Sequence, residues 1–151
     1  MKLGADLREF IELLNSQSVD FLIVGAHALA WHGLPRYTKD IDFLVRADFE
    51  NAQALIGVLE QFGFGSLGLQ VEDFTSANQI VQLGREPNRI DLLTSISGVN
   101  WAECWGSKVQ GEMDGLSVYY LGCSAYIKNK LASGRPQDLA DASRLQEIMR
   151  D

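Results

Sequence analysis

Two aspartates separated by one residue are the strongest candidates for chemistry in this chain. Asp40 and Asp42 lie in the segment DIDFLV, whose apolar residues predict a β-strand over 40–45. Alternate side chains of a strand share a face, so the two carboxylates would lie side by side, about 6.5 to 7 Å apart at Cα, with Ile41 and Phe43 in the core. Paired carboxylates repel each other unless a cation lies between them, and Mg²⁺ prefers such hard oxygen ligands. The alternative is a solvated strand end, because this spacing is common by chance.

A third acid, Asp91, lies in another strand-like run, RIDLL over 89–93. An aspartate among apolar neighbours needs a partner. Beside the first two acids it would complete a site for two divalent ions about 3.5 to 4 Å apart, the arrangement that serves phosphoryl transfer. The alternative is that Asp91 pairs with Arg89 or Arg36 at a sheet edge.

The element before this pair of acids also has the composition of a ligand site. Residues 20–24, DFLIV, predict a buried strand, and Gly25 and Ala26 follow it at the start of a short helix over 26–31. Small residues let a backbone approach a ligand closely, and amides at the N-terminus of a helix favour phosphate. A plain tight turn would give the same pattern. Trp31, in this apolar run, is expected in the core.

The remaining elements predict an α/β (α+β) protein with a small mixed sheet flanked by helices. We expect one domain over 1–151, with the core sheet at about 19–121 and the C-terminal helices at about 124–150. Asp48 and Ser124 are predicted N-caps, Gly134 ends a helix, and 98–115 has no clear pattern. Further helices are predicted at 5–15, 49–61, 124–132 and 136–150, with further strands at 78–83, 89–94 and 116–121.

Charge and composition limit the partners. The chain has 20 acidic and 13 basic residues, a net charge of −7, so its field repels polyanions and broad nucleic-acid binding is not expected. The longest apolar stretch, 21–31, is too short to span a bilayer, and the start MKLGADLREF lacks the apolar region of a signal peptide. We therefore expect a cytoplasmic protein with no membrane partner. Cys104 and Cys123 are predicted to be free thiols.

The run VGAHALAWHGLPRYTKDIDFLV resembles the signature of the DNA polymerase beta-like nucleotidyltransferases. That signature is an apolar strand, a glycine followed by Gly or Ser, a spacer, and then Asp-apolar-Asp-apolar. Here the spacer is 27–39, and Ala26 replaces the second small residue, which removes a hydroxyl or a second glycine.

Two further segments resemble the minimal members of this superfamily. Arg36, Thr38, Asp40 and Asp42 match an Arg-x-Thr-x-Asp-x-Asp segment of the nucleotidyltransferases akin to abortive-infection toxins. The segment NKLASGRPQDLAD over 129–141 is similar to the helical part that follows the catalytic sheet in that group.

The resemblance implies a set of residue roles. The catalytic and metal-binding acids would be Asp40, Asp42 and Asp91, holding two Mg²⁺ ions, or Mn²⁺ in their place, with Asp91 helping to activate the attacking hydroxyl. Nucleotide binding would fall to the small pair, the flanking loop and the C-terminal helices, through Gly25, Ala26, Arg36, Thr38, Lys130 and Asp138. On the residues alone, Lys130 and Asp138 fit a solvated helix face equally well.

The implied reaction is transfer of a nucleoside monophosphate from an NTP to an acceptor hydroxyl, with release of pyrophosphate. The acceptor stays open between a tRNA end, a protein and a small molecule, and a partner subunit or a homodimer would complete its site. Two alternatives remain: a non-catalytic nucleotide- or protein-binding module on the same fold, and a two-metal phosphodiesterase.

Overall fold

A six-stranded mixed sheet forms the centre of the protein in a computed structural model that describes residues 3–150. The strands are β1 (Phe21–Val24), β2 (Asp40–Val45), β3 (Ile80–Leu83), β4 (Arg89–Leu93), β5 (Val109–Met113) and β6 (Leu116–Tyr120). Their order is β3-β4-β2-β1-β6-β5. β2 runs parallel to β4, and β1 runs parallel to β6. The other neighbouring pairs are antiparallel.

Six α-helices of the described residues flank the sheet, as the predicted α/β class requires. They are α1 (Ala5–Ser16), α2 (Gly25–Trp31), α3 (Phe49–Phe62), α4 (Trp101–Gly106), α5 (Cys123–Ser133) and α6 (Pro136–Arg150), with 3₁₀ turns at Gly65–Leu67 and Val71–Phe74. Within residues 3–150, no helix is long and apolar enough to cross a membrane.

The core explains why β2 presents its acids on one face. Ile41 and Phe43 are buried on the opposite face, as alternation predicts. The Phe43 ring makes edge contacts with Phe10 of α1 and Phe21 of β1, each with ring centroids 5.6 Å apart. Aromatic pairs of this kind stabilise beyond their buried area. Because Phe43 is locked in the core, the register of β2 is fixed and the acids are held on the other face.

Most of the predicted elements are confirmed, several to within a residue of their predicted bounds. The Asp48 cap is present, because its carboxylate accepts a hydrogen bond from the Asn51 backbone N–H at 2.8 Å. Gly134 ends α5 in the left-handed conformation, and the last helix begins at Pro136. Both free thiols are also present, at Cys104 and Cys123.

Three expectations were wrong. The segment 98–115, which has no clear pattern in the sequence, contains the short elements α4 and β5. The residue preceding α5 is Gly122, without a side-chain cap, so Ser124 lies inside the helix. Trp31 is 44% exposed, stacked on Tyr120 at 4.7 Å between ring centroids, because it ends α2 at the surface.

Candidate active site

The three predicted acids meet on one face of the sheet. Parallel pairing of β2 with β4 places Asp42 opposite Asp91, and Asp40 opposite Arg89. One oxygen from each of Asp40, Asp42 and Asp91 lies within 4.8 Å of the others. The strand register alone therefore brings together acids that are far apart in the chain. The solvated-end alternative for the Asp40–Asp42 pair does not describe this half-buried cluster.

Among the three acids, Asp42 has the fewest groups that stabilise its negative charge. Among residues 3–150, no N–H or hydroxyl group donates a side-chain or backbone hydrogen bond to it, whereas its two acidic neighbours both have donors. Burial, and then the negative charges of Asp40 and Asp91, raise the pKa of Asp42 to about 7. Keeping all three acids ionised at neutral pH therefore costs free energy unless a cation is present.

Arg89 and Thr38 hold the other two acids. The guanidinium of Arg89 donates to Asp40 at 2.6 Å and to both oxygens of Asp91, at 2.9 and 3.1 Å. The Thr38 hydroxyl donates to the second oxygen of Asp40 at 2.8 Å. The pairing of Asp91 with Arg89, which the sequence offers as the alternative to a metal site, is thus present together with the clustering of the acids.

Gly25 allows the acid cluster to lie directly against the start of α2. Its φ of +68° is in the left-handed region, and a Cβ at this position would overlap the Asp42 carboxylate. Glycine meets both demands because it lacks a Cβ. The Tyr126 hydroxyl of α5 donates to the Gly25 carbonyl at 2.8 Å, which fixes this turn from the other side.

We expect Gly25→Ala to weaken the predicted metal and nucleotide site. A methyl group here must displace the Asp42 carboxylate, so divalent-metal and nucleotide affinity should fall at least about tenfold, on top of about 1 kcal/mol of backbone strain. The matched control is Gly68→Ala, because Gly68 has a φ of +70° and a methyl group there would meet no atom within 4 Å. Thermal unfolding and Mn²⁺ titration of both variants check this. Equal losses of metal affinity in the two would contradict it.

A cleft of about 460 Å³ opens beside the acids. Gly25 and Asp42 line it together with Tyr126, Lys130 and Arg135. Neutral polar and apolar groups complete the lining, among them Asn78, Ile80, Ser95, Ser97, Asn129 and Ser133. The cleft therefore combines one carboxylate of the acid cluster, Asp42, with the cations of Lys130 and Arg135.

The cations of the cleft belong to an ion network on α5 and α6. Lys130 is 13% exposed at its side chain and lies 3.2 Å from Asp138 and 3.3 Å from Asp141. Arg135 donates to Asp138 at 2.6 Å. This hydrogen bond is the main cause of a lowered pKa at Asp138. Lys130 and Asp138 therefore lie in a partly buried network, not on a solvated helix face.

Arg36 joins the β2 side of the site to the same network. Its guanidinium donates to both oxygens of the buried Asp141, at 2.6 and 3.2 Å. Burial alone would raise the pKa of Asp141, but the hydrogen bonds from Arg36 and Gln137 hold it below its ordinary value. Arg36 contacts neither Asp40 nor Asp91 among the described residues, so the alternative pairing of Arg36 with Asp91 is not present.

Two members of this network lie outside the set of residues that the sequence predicts for the site. From the sequence, Asp141 fits a complement to the N-terminal dipole of α6, and Arg135 carries no predicted role. Asp141 follows Asp138 by three residues, a spacing that places both on one helix face beside Lys130. That spacing is the signal that could have found it.

The chemistry of the acid cluster fits a divalent cation. Three carboxylates supply hard oxygen ligands at mutually short distances, and one of them has no donor to stabilise its charge among the described residues. A cation at this point would relieve the repulsion that raises the Asp42 pKa. Asp40, Asp42 and Asp91 are accordingly the residues that would hold Mg²⁺ or Mn²⁺; the identity of the ion is a separate question.

The sheet order, the flanking helices and this site define the nucleotidyltransferase fold. The chain is similar to the solved structure of a protein from Thermotoga maritima named as a putative nucleotidyltransferase, with a TM-score of 0.59 and 15% identity over 95% of this chain and 90% of that one. It is also similar to the lincosamide antibiotic adenylyltransferase LnuA in its lincomycin-bound form, with a TM-score of 0.53 and 12% identity over 97% and 98%. No protein-family model and no curated protein sequence matches the chain. At these identities the likeness shows the fold, and the predicted fold is confirmed.

Proposed function

We propose that this chain is a minimal nucleotidyltransferase domain, which transfers a nucleoside monophosphate from an NTP to an acceptor hydroxyl. The observation that carries the proposal is the meeting of Asp40, Asp42 and Asp91 beside the Gly25 turn, with Asp42 lining a cleft that Lys130 also lines. The fold of the two solved neighbours, both named for nucleotide transfer, supports it.

The acids, the Gly25 turn and the two C-terminal helices each have a proposed role. The three acids would hold two Mg²⁺ ions, which when bound neutralise charge on the phosphates and on the leaving group. The Gly25–Ala26 backbone, which starts α2 directly against Asp42, would face the triphosphate. Lys130 would contact a phosphate, oriented by Asp138, while Arg36 would hold the loop that carries Thr38 against α6.

The proposed reaction balances as a single in-line displacement. The acceptor oxygen forms a bond to the α-phosphorus, and the bond from that phosphorus to the bridging oxygen of the β-phosphate breaks. Pyrophosphate leaves with that oxygen, and the hydroxyl proton passes to Asp91 or to water. Catalysis rests on positioning and charge neutralisation, as in other phosphoryl transfers.

A small hydroxylated molecule is the acceptor class that the cleft favours. Apart from Asp42, Lys130 and Arg135, its lining is neutral, with hydroxyl and amide groups at Asn78, Ser95 and Asn129 and an apolar surface at Ile80. The net charge of −7 disfavours a polynucleotide acceptor. LnuA, bound to lincomycin and named as a lincosamide antibiotic adenylyltransferase, is a neighbour of the same fold.

Thermal unfolding with nucleotides tests the proposed function. We expect ATP, CTP, GTP or UTP to raise the midpoint temperature when Mg²⁺ is present, and to have little effect when EDTA replaces it. As a control, Asp6→Asn changes an exposed aspartate on α1 and should respond to metal and nucleotide as the wild type does. Stabilisation that is equal with and without metal would instead indicate a non-catalytic nucleotide-binding module, and a monophosphate product without pyrophosphate would indicate a phosphodiesterase.

A further inference from the structure

Arg89 lies inside the acid cluster, where a metal site would be expected to contain only ligands. It stands opposite Asp40 in the β2–β4 register and two residues before Asp91, so all three share one sheet face. Its side chain is 25% exposed, and its hydrogen bonds to the two acids are 2.6 to 3.1 Å long. Guanidinium forks of this kind hold carboxylates in fixed orientations.

The bonds of Arg89 divide the acids into two kinds. Asp91 has both oxygens bonded to Arg89, and Asp40 has one oxygen on Arg89 and the other on Thr38. Asp42 has no such donor among the described residues. One guanidinium against three carboxylates leaves two uncompensated negative charges, the charge of one divalent cation.

We propose that Arg89 is a positioning residue that acts as an internal counter-cation. It orients Asp40 and Asp91, and it limits the free protein to one strongly bound divalent cation, which enters at Asp42. The second ion of the proposed function then arrives with the phosphates of the nucleotide, which supply the missing negative charge. This inference rests on the proposed function, because it concerns the same metal site.

The distinctive consequence is that loss of Arg89 tightens metal binding. Removing a positive charge within a few ångströms of a divalent cation strengthens the attraction between the cation and the acids. A residue that only supported the strands would have the opposite effect, because its loss would disorder the ligands and weaken binding. The sign of the change in metal affinity therefore separates the two roles.

Mn²⁺ titration followed by electron paramagnetic resonance tests this in the full chain without nucleotide. We expect one strong site in the wild type, and for Arg89→Met an affinity at least about tenfold tighter. Arg89→Lys keeps the charge but loses the guanidinium fork, so its affinity should be no tighter than that of the wild type. Arg85→Met is the matched control, because Arg85 is exposed in the β3–β4 connection and its loss removes the same charge away from the acids.

The possible outcomes separate failure of this inference from failure of the proposed function. If the wild type binds no Mn²⁺ at millimolar concentration, the metal site itself is refuted, and this inference with it. If the wild type binds Mn²⁺ but Arg89→Met binds it equally or more weakly, only the role of Arg89 is refuted. If Arg89→Met does not fold, Arg89→Gln replaces it, because an amide keeps hydrogen-bond donors without the charge. Tighter Mn²⁺ binding by that variant supports the inference, and equal or weaker binding overturns it.

Discussion

Asp42→Asn is expected to abolish nucleotide transfer while making the metal-free protein more stable. Asparagine has the same shape but cannot carry the charge that a divalent cation requires, so we expect a loss of activity of about a thousandfold or more. The same change removes the repulsion that Asp42 suffers beside Asp40 and Asp91. The gain in unfolding free energy in EDTA at pH 8 should be about 1 to 2 kcal/mol, allowing for solvent screening of a half-buried carboxyl.

The pH dependence of this gain follows from the sign of the pKa shift. The pKa of Asp42 is about 7 in the folded protein, above its ordinary value of 3.8. The folded wild type therefore loses stability as pH rises between these two values, and the asparagine variant does not. The stabilisation should be full at pH 8 and absent below about pH 4, by thermal unfolding in EDTA. A variant less stable than the wild type at pH 8, with Asp6→Asn unchanged, would contradict this expectation.

Asp141→Asn is expected to cause the largest loss of stability among single substitutions of the ion network. The fully buried carboxylate of Asp141 compensates Arg36 and Lys130 at 2.6 and 3.3 Å. An amide would leave the partly buried Arg36 without this ion pair and Lys130 with Asp138 alone. Breaking a buried ion pair from one side costs about 3 to 5 kcal/mol, and about 3 kcal/mol is expected here because Arg36 is partly exposed.

Thermal unfolding across pH checks this second prediction. A loss of about 3 kcal/mol corresponds to a fall of about 6 to 12 °C in midpoint temperature for a chain of this size. The pKa of Asp141 is lowered in the folded state, so its contribution is present above its ordinary value of 3.8 and is lost as pH falls through the folded pKa. The wild type and the variant should therefore converge in strongly acidic solution. A constant difference at all pH values would show that charge is not the cause.

Local patterning accounts for the parts of the fold that can be predicted from the sequence. β2 is predicted over its full length because acidic and apolar residues alternate at the start of DIDFLV. The apolar Ile41 and Phe43 are therefore expected in the core. α3 is predicted because Asp48 supplies a cap that bonds within one turn. Both signals lie within a few residues of the element that they define. The polar strand β5 has no such signal, because it pairs with β6 at the sheet edge and buries little.

In the candidate site too, local patterns in the sequence predict only part of the arrangement. The facing of Asp40 and Asp42 follows from strand periodicity, whereas the meeting of Asp91 with them depends on parallel pairing between strands that are far apart in the chain. From the sequence, Asp91 is a candidate because it is an aspartate among apolar strand residues, with its pairing to Arg89 or Arg36 as the alternative to metal binding. The structure contains both arrangements at once, because one guanidinium can hold two carboxylates. No local pattern encodes that geometry.

Isotope labelling tests directly whether the proposed transfer of an NTP α-phosphate requires the acid cluster. Wild type and Asp42→Asn are incubated with Mg²⁺ and cell extract, once with α-³²P NTPs and once with γ-³²P NTPs. Above the background of extract without the protein, we predict label on an acceptor from the α-phosphate only, release of the γ-label as pyrophosphate, and loss of both with EDTA or in Asp42→Asn. Transfer of the γ-label to an acceptor above that background, or equal α-labelling by Asp42→Asn, would refute the proposed role of the acids.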